Sequence, residues 1–324
     1  MARLEEQLAQ LSALDFTSSG LPGVLVHEAL RKAVASKSNL VLAKAAGMIA
    51  EHGLDDLTDD LVAAFDRLMK NPGRSDKGGS GLTALARALA LLGYQDAGLF
   101  RRGSHHVQME SAYGGKVDVA DHLRGWCAQG LAQSGDPDAM VDVARLLVDP
   151  CSQTRRAAAQ GVEISGRGDI GLPLLNMKIT QGDPDPQVIS QCVTAMLALV
   201  DSSALELISP ILKSNDDDLV EQVLLALGQS RQAAAFEVIE TFYEQCLTEP
   251  LQKASLLAMA MLRSEVSMAH LENLVEEGNL VEAQQAIEAL GIYNYDSDLK
   301  TRLLSICEKR DDIEWVELIQ RVFL

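Results

Sequence analysis

Leu123-Arg-Gly-Trp-Cys-Ala-Gln-Gly-Leu131 is followed 31 residues later by Thr154-Arg-Arg-Ala-Ala-Ala-Gln-Gly-Val162. The first Arg, the small pair, the Gln-Gly and the final apolar residue coincide. The frame continues through Val188, Cys192-Val193 and Ala195-Met196, then Leu219, Val223-Leu224 and Ala226-Leu227-Gly228. Leu251, Ser255-Leu256 and Ala258-Met259 come next, and Ala286-Ile287 and Ala289-Leu290-Gly291 complete the set, at spacings of 31 to 34 residues. Within each unit the apolar positions recur at i, i+4, i+5, i+7 and i+8, which is one face of a helix with period 3.6.

Another amphipathic helix precedes each of these. Residues 140–148 make one, Leu205, Leu207, Ile208, Ile211 and Leu212 a second, and Phe236, Val238, Ile239 and Phe242 a third. The breaks between them are Asp149-Pro150, Gly182-Asp183-Pro184-Asp185-Pro186, Asn215-Asp216-Asp217-Asp218 and Glu249-Pro250. Asp and Asn there suit helix N-caps, and Pro suits the first helical turn, where its missing N–H is not needed. Gly93, Gly228 and Gly291 stand where C-terminal caps of the second helices are expected. One helix pair cannot bury its apolar face alone, whereas stacked pairs share a continuous core.

This pattern resembles the HEAT repeat family, and in particular the short bacterial HEAT-like repeats. The resemblance rests on Asp149-Pro150, Arg155, Ala158-Ala159 and Gly161-Val162, and on Leu123-Arg124, Cys127-Ala128 and Gly130-Leu131. It extends from about residue 25 to the end of the chain. It implies an all-α fold, a right-handed α-solenoid superhelix of about nine antiparallel helix pairs, forming a single domain over residues 1–324. Residues 1–24, with Leu4, Leu8, Leu11 and Leu14, read as an N-terminal cap helix. Trp315, Leu318, Ile319, Val322, Phe323 and Leu324 carry the core to the last residue.

Composition agrees with helix. Hydrophobic residues make up 47% of the 324 but aromatics only 4%, so Ala and Leu fill the apolar positions and the residues that favour strands are scarce. No run of 18 apolar residues is present, so no membrane span is expected. Residues 1–10 lack the apolar stretch of a signal peptide. Cys127, Cys151, Cys192, Cys246 and Cys307 are odd in number, widely spread and free of C-x-x-C spacing, which suits reduced, mostly buried thiols in a cytoplasmic protein. The net charge of -18 argues against a nucleic-acid partner, since binding a polyphosphate requires Lys and Arg to replace its counterions. The charge is also uneven. Residues 1–167 hold 18 Lys/Arg and 20 Asp/Glu, and residues 168–324 hold 10 and 26. That excess suits a basic partner for the second half.

Function is less legible, because unrelated scaffolds share this repeat. Among HEAT-like families, deoxyhypusine hydroxylase holds iron with repeated His-Glu pairs, and bilin lyases are also built from these repeats. Here His27-Glu28 is the single such pair and does not recur with the repeat. Neither G-x-S-x-G nor H-E-x-x-H occurs. The expectation is a non-catalytic scaffold for a protein or peptide, with no metal and no cofactor. The alternative is a HEAT-type enzyme or its subunit, bilin-lyase-like or hydroxylase-like.

In such arrays the second helices line the concave face. Carrying the frame outward places Trp126, Gln129, Arg156, Gln160, Gln191, Glu221, Gln222 and Gln285 there. Gln offers donors and acceptors without charge, and Trp is enriched at interface hot spots. The frame breaks at residues 101–117, Arg101-Arg-Gly-Ser-His-His-Val-Gln-Met-Glu-Ser-Ala-Tyr-Gly-Gly-Lys116 and beyond, where Gly103, Gly114 and Gly115 argue against a continuous first helix. This reads as an irregular insertion with at most a short extended stretch, and departures from a regular pattern concentrate at functional sites. Arg101, Arg102, His105, His106, Gln108 and Tyr113 are its candidate binding residues. A metal site from His105 or His106 with Glu110 or Asp118 and His122, or an anion site from the glycine-rich backbone with Arg74, Arg101 and Arg102, are weaker readings of the same stretch. The glycine-rich loop 71–81 falls one repeat earlier and is expected beside it.

Overall fold

A computed structural model of the chain describes residues 2–14, 16, 21–200, 203–310 and 313–323; Leu324, the expected end of the core, lies outside them. Two compact units emerge, Met1–Arg167 and Gly168–Leu324. Their boundary coincides with the step in charge noted above.

The first unit contains α1 (Ala2–Ser12), α2 (Leu21–Val34), α3 (Asn39–Glu51), α4 (Thr58–Met69), the single-turn α5 (Pro72–Ser75), α6 (Ser80–Leu91), α7 (Ala97–Ser104), α8 (Asp121–Gln133), α9 (Ala139–Leu146) and α10 (Ser152–Ile164). The second contains α11 (Gly168–Gln181), α12 (Pro186–Leu199), α13 (Ser203–Ile208), α14 (Asp217–Gln229), α15 (Ala235–Gln245), α16 (Glu249–Leu262), α17 (Glu265–Glu277), α18 (Leu280–Leu290), α19 (Ser297–Lys309) and α20 (Ile313–Val322). In the first unit α3, α6, α8 and α10 stack directly on one another, while α2, α4, α7 and α9 cover them. In the second, α12, α14, α16, α18 and α20 form the stack. The fold is all-helical apart from one hairpin among the described residues, β1 (Met109–Ala112) and β2 (Gly115–Asp118), paired antiparallel with Ala112 opposite Gly115.

The repeated residues make the core. Leu85, Leu89, Cys127, Leu131, Ala158 and Val162 are fully buried, and each large aliphatic side chain removed from water contributes about 1.5–3 kcal/mol. The Gln-Gly of the repeat has a packing reason. A Cβ on Gly130 would stand 2.4–2.5 Å from the Phe100 ring, and one on Gly161 would meet the Ala128 carbonyl oxygen at 3.1 Å. Gly161 lets α10 approach the α8 backbone, and Gly130 makes room on α8 for the Phe100 ring of α7. Burial pushes the Cys192 thiol up to about 12 and raises that of Cys127, whereas Cys151 and Cys246 are partly exposed.

Several terminal expectations hold. Asp185 accepts from the Gln187 amide with Pro186 as the first residue of α12, and Asp216 accepts from the Leu219 amide. Gly93 has the positive φ, +69°, of a left-handed cap. Two others are corrected. Gly228 lies inside α14, and its Cβ would meet the Ala258 oxygen at 2.6 Å, so it is a close-approach glycine. Gly291 follows α18 with a right-handed φ of -58°.

Candidate functional site

The irregular stretch is built from the end of α7 and the hairpin. Arg101–Ser104 complete α7, so the insertion proper starts four residues later than the sequence suggests. Gly103, in the last turn of this short first helix, sits against α8: a Cβ would fall 2.4 Å from Cys127 Sγ. The chain then runs extended into β1 and turns at Tyr113-Gly114, with Gly114 at a φ of +92°. Tyr113 is fully exposed at the tip, and Val107, Met109 and Val117 are also more than half exposed.

The base of the hairpin is held by polar contacts. Loop 71–81 is its neighbour, as the repeat spacing implied. Gln108 Nε2 donates to the Asp76 carbonyl oxygen at 2.8 Å and to Glu110 Oε1 at 2.6 Å, and the Gly78 amide donates to the same carboxylate at 2.9 Å. Gly79 has a φ of +68°, and a Cβ there would lie 2.4 Å from the Val119 oxygen. The Gly78 amide and the Gln108 side chain hold the Glu110 carboxyl below its ordinary range. Asp76 goes the other way. Burial raises its pKa in spite of the Leu82 and Gly81 amides that its carboxylate accepts at 2.7 and 2.9 Å.

Arg124 joins the hairpin to the next repeat. It is 2% exposed. Its Nε and Nη2 donate to the two oxygens of Asp149 at 2.8 and 2.9 Å, and Nη1 donates to Asp118 Oδ2 at 2.6 Å and to the His106 oxygen at 3.0 Å. Arg155 uses its Nη1 on the Asp149 and Pro150 carbonyl oxygens at 2.8 and 3.0 Å. Burial opposes charge on Asp118, but the Gln108 and Ala120 amides and Arg124 outweigh it and keep the carboxyl below the usual range. The Asp and Arg that carry the family resemblance are thus structural staples.

The proposed site residues divide. Arg101 is paired with Asp142 at 2.7 Å and Asp136 at 3.2 Å, and Arg102 with Asp66 at 2.7 Å. His105 shares Asp142 at 3.0 Å, and His106 contacts Gln108 Oε1 at 3.1 Å. Gln108 is buried, which corrects its placement as an exposed contact residue. On the stacked second helices Trp126 is half-buried, with Arg87 of α6 over its ring at 5.6 Å. Gln129 Nε2 donates to Gln160 Oε1 at 3.0 Å across α8 and α10, and Arg156 Nη2 contacts Gln153 Oε1 at 2.5 Å. In the second unit Glu221 is exposed and Gln191 and Gln222 are half-buried. Gln285 is 4% exposed, and its Nε2 has no hydrogen-bond partner among the described residues. Its expected surface position is corrected: the side chain is buried on α18, which packs against α16, α17 and α20.

Arg87, Asp142 and Asp76 were not singled out from sequence. Arg87 stands two residues before the second helix's Leu89, as Gln129 stands before Leu131, and that shared position was the available signal. Asp142 had none, because its partners Arg101 and His105 come from the end of α7, and Asp76 had only its place shortly before α6, whose Gly81 and Leu82 amides it accepts. Among the described residues no group of three or more His, Cys, Asp and Glu side chains is arranged to hold a metal ion, and no helix is long and apolar enough to cross a membrane.

No family model and no curated protein matches the chain. Among solved structures, it is similar to the complex of CpcE and CpcF of phycocyanin lyase from Nostoc sp. PCC7120, with 17% identity over 76% of this chain and 94% of that one, at a TM-score of 0.38. It is also similar to human deoxyhypusine hydroxylase in complex with glycerol, with 14% identity over 86% and 100% of the two chains at 0.32, and to an engineered protein, with 15% identity over 93% and 88% at 0.32. Both kinds of protein named from the repeat are represented. The expectation that the chain is not an enzyme is corrected on this finding, since two of these structures are of enzymes or their subunits.

Proposed function

We propose that this chain is a HEAT-like helical-repeat scaffold that binds another protein, and that the first unit does so through Trp126, Gln129, Arg156 and Gln160. The observation that carries the reading is the half-buried Trp126 on the stacked second helices, held under Arg87 at 5.6 Å. A Trp ring fixed by a cation presents a large rigid apolar surface at low entropic cost. The Gln129–Gln160 contact beside it is an exposed amide pair that a partner's backbone can replace. Trp126 lies five residues into α8, about 7.5 Å along the helix from its start, and α8 follows the hairpin closely in the chain. Tyr113 at the hairpin tip, with Arg101, Arg102, His105 and His106 at its base, extends the surface. The second unit adds Gln191, Glu221 and Gln222 on its own second helices, and its 26 acidic against 10 basic residues favour a basic partner.

A photo-crosslinking amino acid at Gln160, followed by mass spectrometry, identifies the partner, and Trp126→Ala then tests the site. Truncation of a hot-spot Trp costs about 2 kcal/mol or more, roughly thirtyfold in Kd, with helix content retained. Binding weakens further between low and high salt because screening removes the steering field. A partner whose affinity ignores Trp126 overturns the site. A Trp126→Ala chain that no longer folds places Trp126 in the core and overturns it equally.

A further inference from the structure

A cleft of about 520 Å³ opens in the first unit between the α2–α3 turn and the end of α4 with α5. Three of its lining residues are cations, Lys37, Arg67 and Arg74, and none is acidic. Arg67 is structural. It donates to the carbonyl oxygens of Ala35 at 3.0 Å, Val34 at 3.0 Å and Ser36 at 3.3 Å, which satisfies the C-terminal end of α2. Lys37 and Arg74 are exposed and make no ion pair or side-chain hydrogen bond among the described residues. Other arginines of the unit are neutralised: Arg31 by Asp60, Arg101 by Asp142, Arg102 by Asp66 and Arg124 by Asp149. In a unit whose 18 Lys and Arg nearly balance its 20 Asp and Glu, two cations without a partner among the described residues line one concave site beside a third already fixed by the backbone, which favours an anion there.

We propose that this cleft binds a phosphate group. Arg74 supplies a planar fork that matches two phosphate oxygens, and Lys37 a mobile point charge for the third. The Asn71 side-chain amide at the same wall adds a neutral donor. The cleft is larger than an inorganic ion, so it has room for a phosphate monoester whose remainder lies over Leu68 and Ala35. The Arg101 and Arg102 pair plays no part in it, being already bound to aspartates.

Isothermal titration of the full chain at constant ionic strength tests this, with inorganic phosphate and O-phosphoserine as probes and acetate as the control anion. Saturable binding of one phosphate probe per chain is expected, with O-phosphoserine at least as tight as inorganic phosphate and acetate at least tenfold weaker. Lys37→Gln combined with Arg74→Gln weakens phosphate binding at least tenfold and leaves the circular dichroism spectrum and ligand-free melting unchanged, since neither side chain holds a structural contact. Unsaturable binding, equal affinity for acetate, or an unaltered affinity in the double variant overturns the proposal. If the double variant unfolds, shifts of the Arg74 side-chain NMR signal on titrating the unsubstituted chain decide it: a saturating shift supports the site and an unmoved signal refutes it. None of these readouts involves Trp126, so this proposal and the protein-binding reading stand or fall separately.

Discussion

Arg124→Met is the substitution that tests the staple reading most directly. The side chain is 2% exposed and donates four hydrogen bonds, two to Asp149, one to Asp118 and one to the His106 carbonyl oxygen. Met keeps the aliphatic stem and removes the charge. It leaves Asp149 and Asp118, whose side chains are only 8% and 13% exposed, without their cation. Breaking a buried ion pair from one side costs about 3–5 kcal/mol, because the remaining charge is stranded. Both carboxylates keep backbone donors, Cys151 for Asp149 and Gln108 and Ala120 for Asp118, which places the expected loss near the lower end, about 3 kcal/mol. Against the roughly 5–15 kcal/mol that holds a typical domain, this is a large share. Urea denaturation followed by far-UV circular dichroism measures the loss, and hydrogen exchange locates it at residues 105–124 and 146–155, with the second unit unaffected. The triple variant Arg124→Met, Asp118→Asn, Asp149→Asn removes the stranded charges and recovers more than half of the loss, as removal of both sides of a buried pair is far less costly than removal of one. A single variant within about 0.5 kcal/mol of the parent, the scale of an ordinary surface substitution, refutes the reasoning, as does a triple variant no more stable than the single.

Two further predictions concern the same unit. Because the folded pKa of Asp118 lies below its unfolded value, its contribution is present above about pH 3.9 and is lost as pH falls through the folded pKa. Asp118→Asn therefore lowers stability at pH 7, and its difference from the parent shrinks towards pH 3 in urea titrations; a constant difference contradicts the assignment. Gly130→Ala drives a methyl into the Phe100 ring and costs about 1–3 kcal/mol by overpacking, read as a lower melting temperature, whereas an Ala at the open Gly47 leaves melting unchanged or raises it slightly.

The helix pairs were legible because their signals are local. Period 3.6, the Asp-Pro breaks and the caps at Asp185 and Asp216 each act within a turn or two of chain, so one sequence contains them all. The hairpin was partly legible: Gly114 and Gly115 announced a break, but Asp76, which anchors it, lies 32 residues from Gln108, and Arg124, six residues past Asp118, is fixed by Asp149 of a later repeat. Gln285 shows the opposite case, a polar residue that the repeat frame places outward and neighbouring helices bury.

The sequence alone determined that the chain folds as stacked helix pairs, that residues around 101–117 depart from the frame, and that its second half is acidic. Only tertiary structure decided that Arg101 and Arg102 are spent on aspartates, that Lys37 and Arg74 line one cleft without a partner among the described residues, and that Trp126 lies under Arg87. Helix periodicity is a property of consecutive residues, whereas the partner of a charge or a ring is set by which elements pack together, and residues 37 and 74 meet only once α2, α3, α4 and α5 are in place.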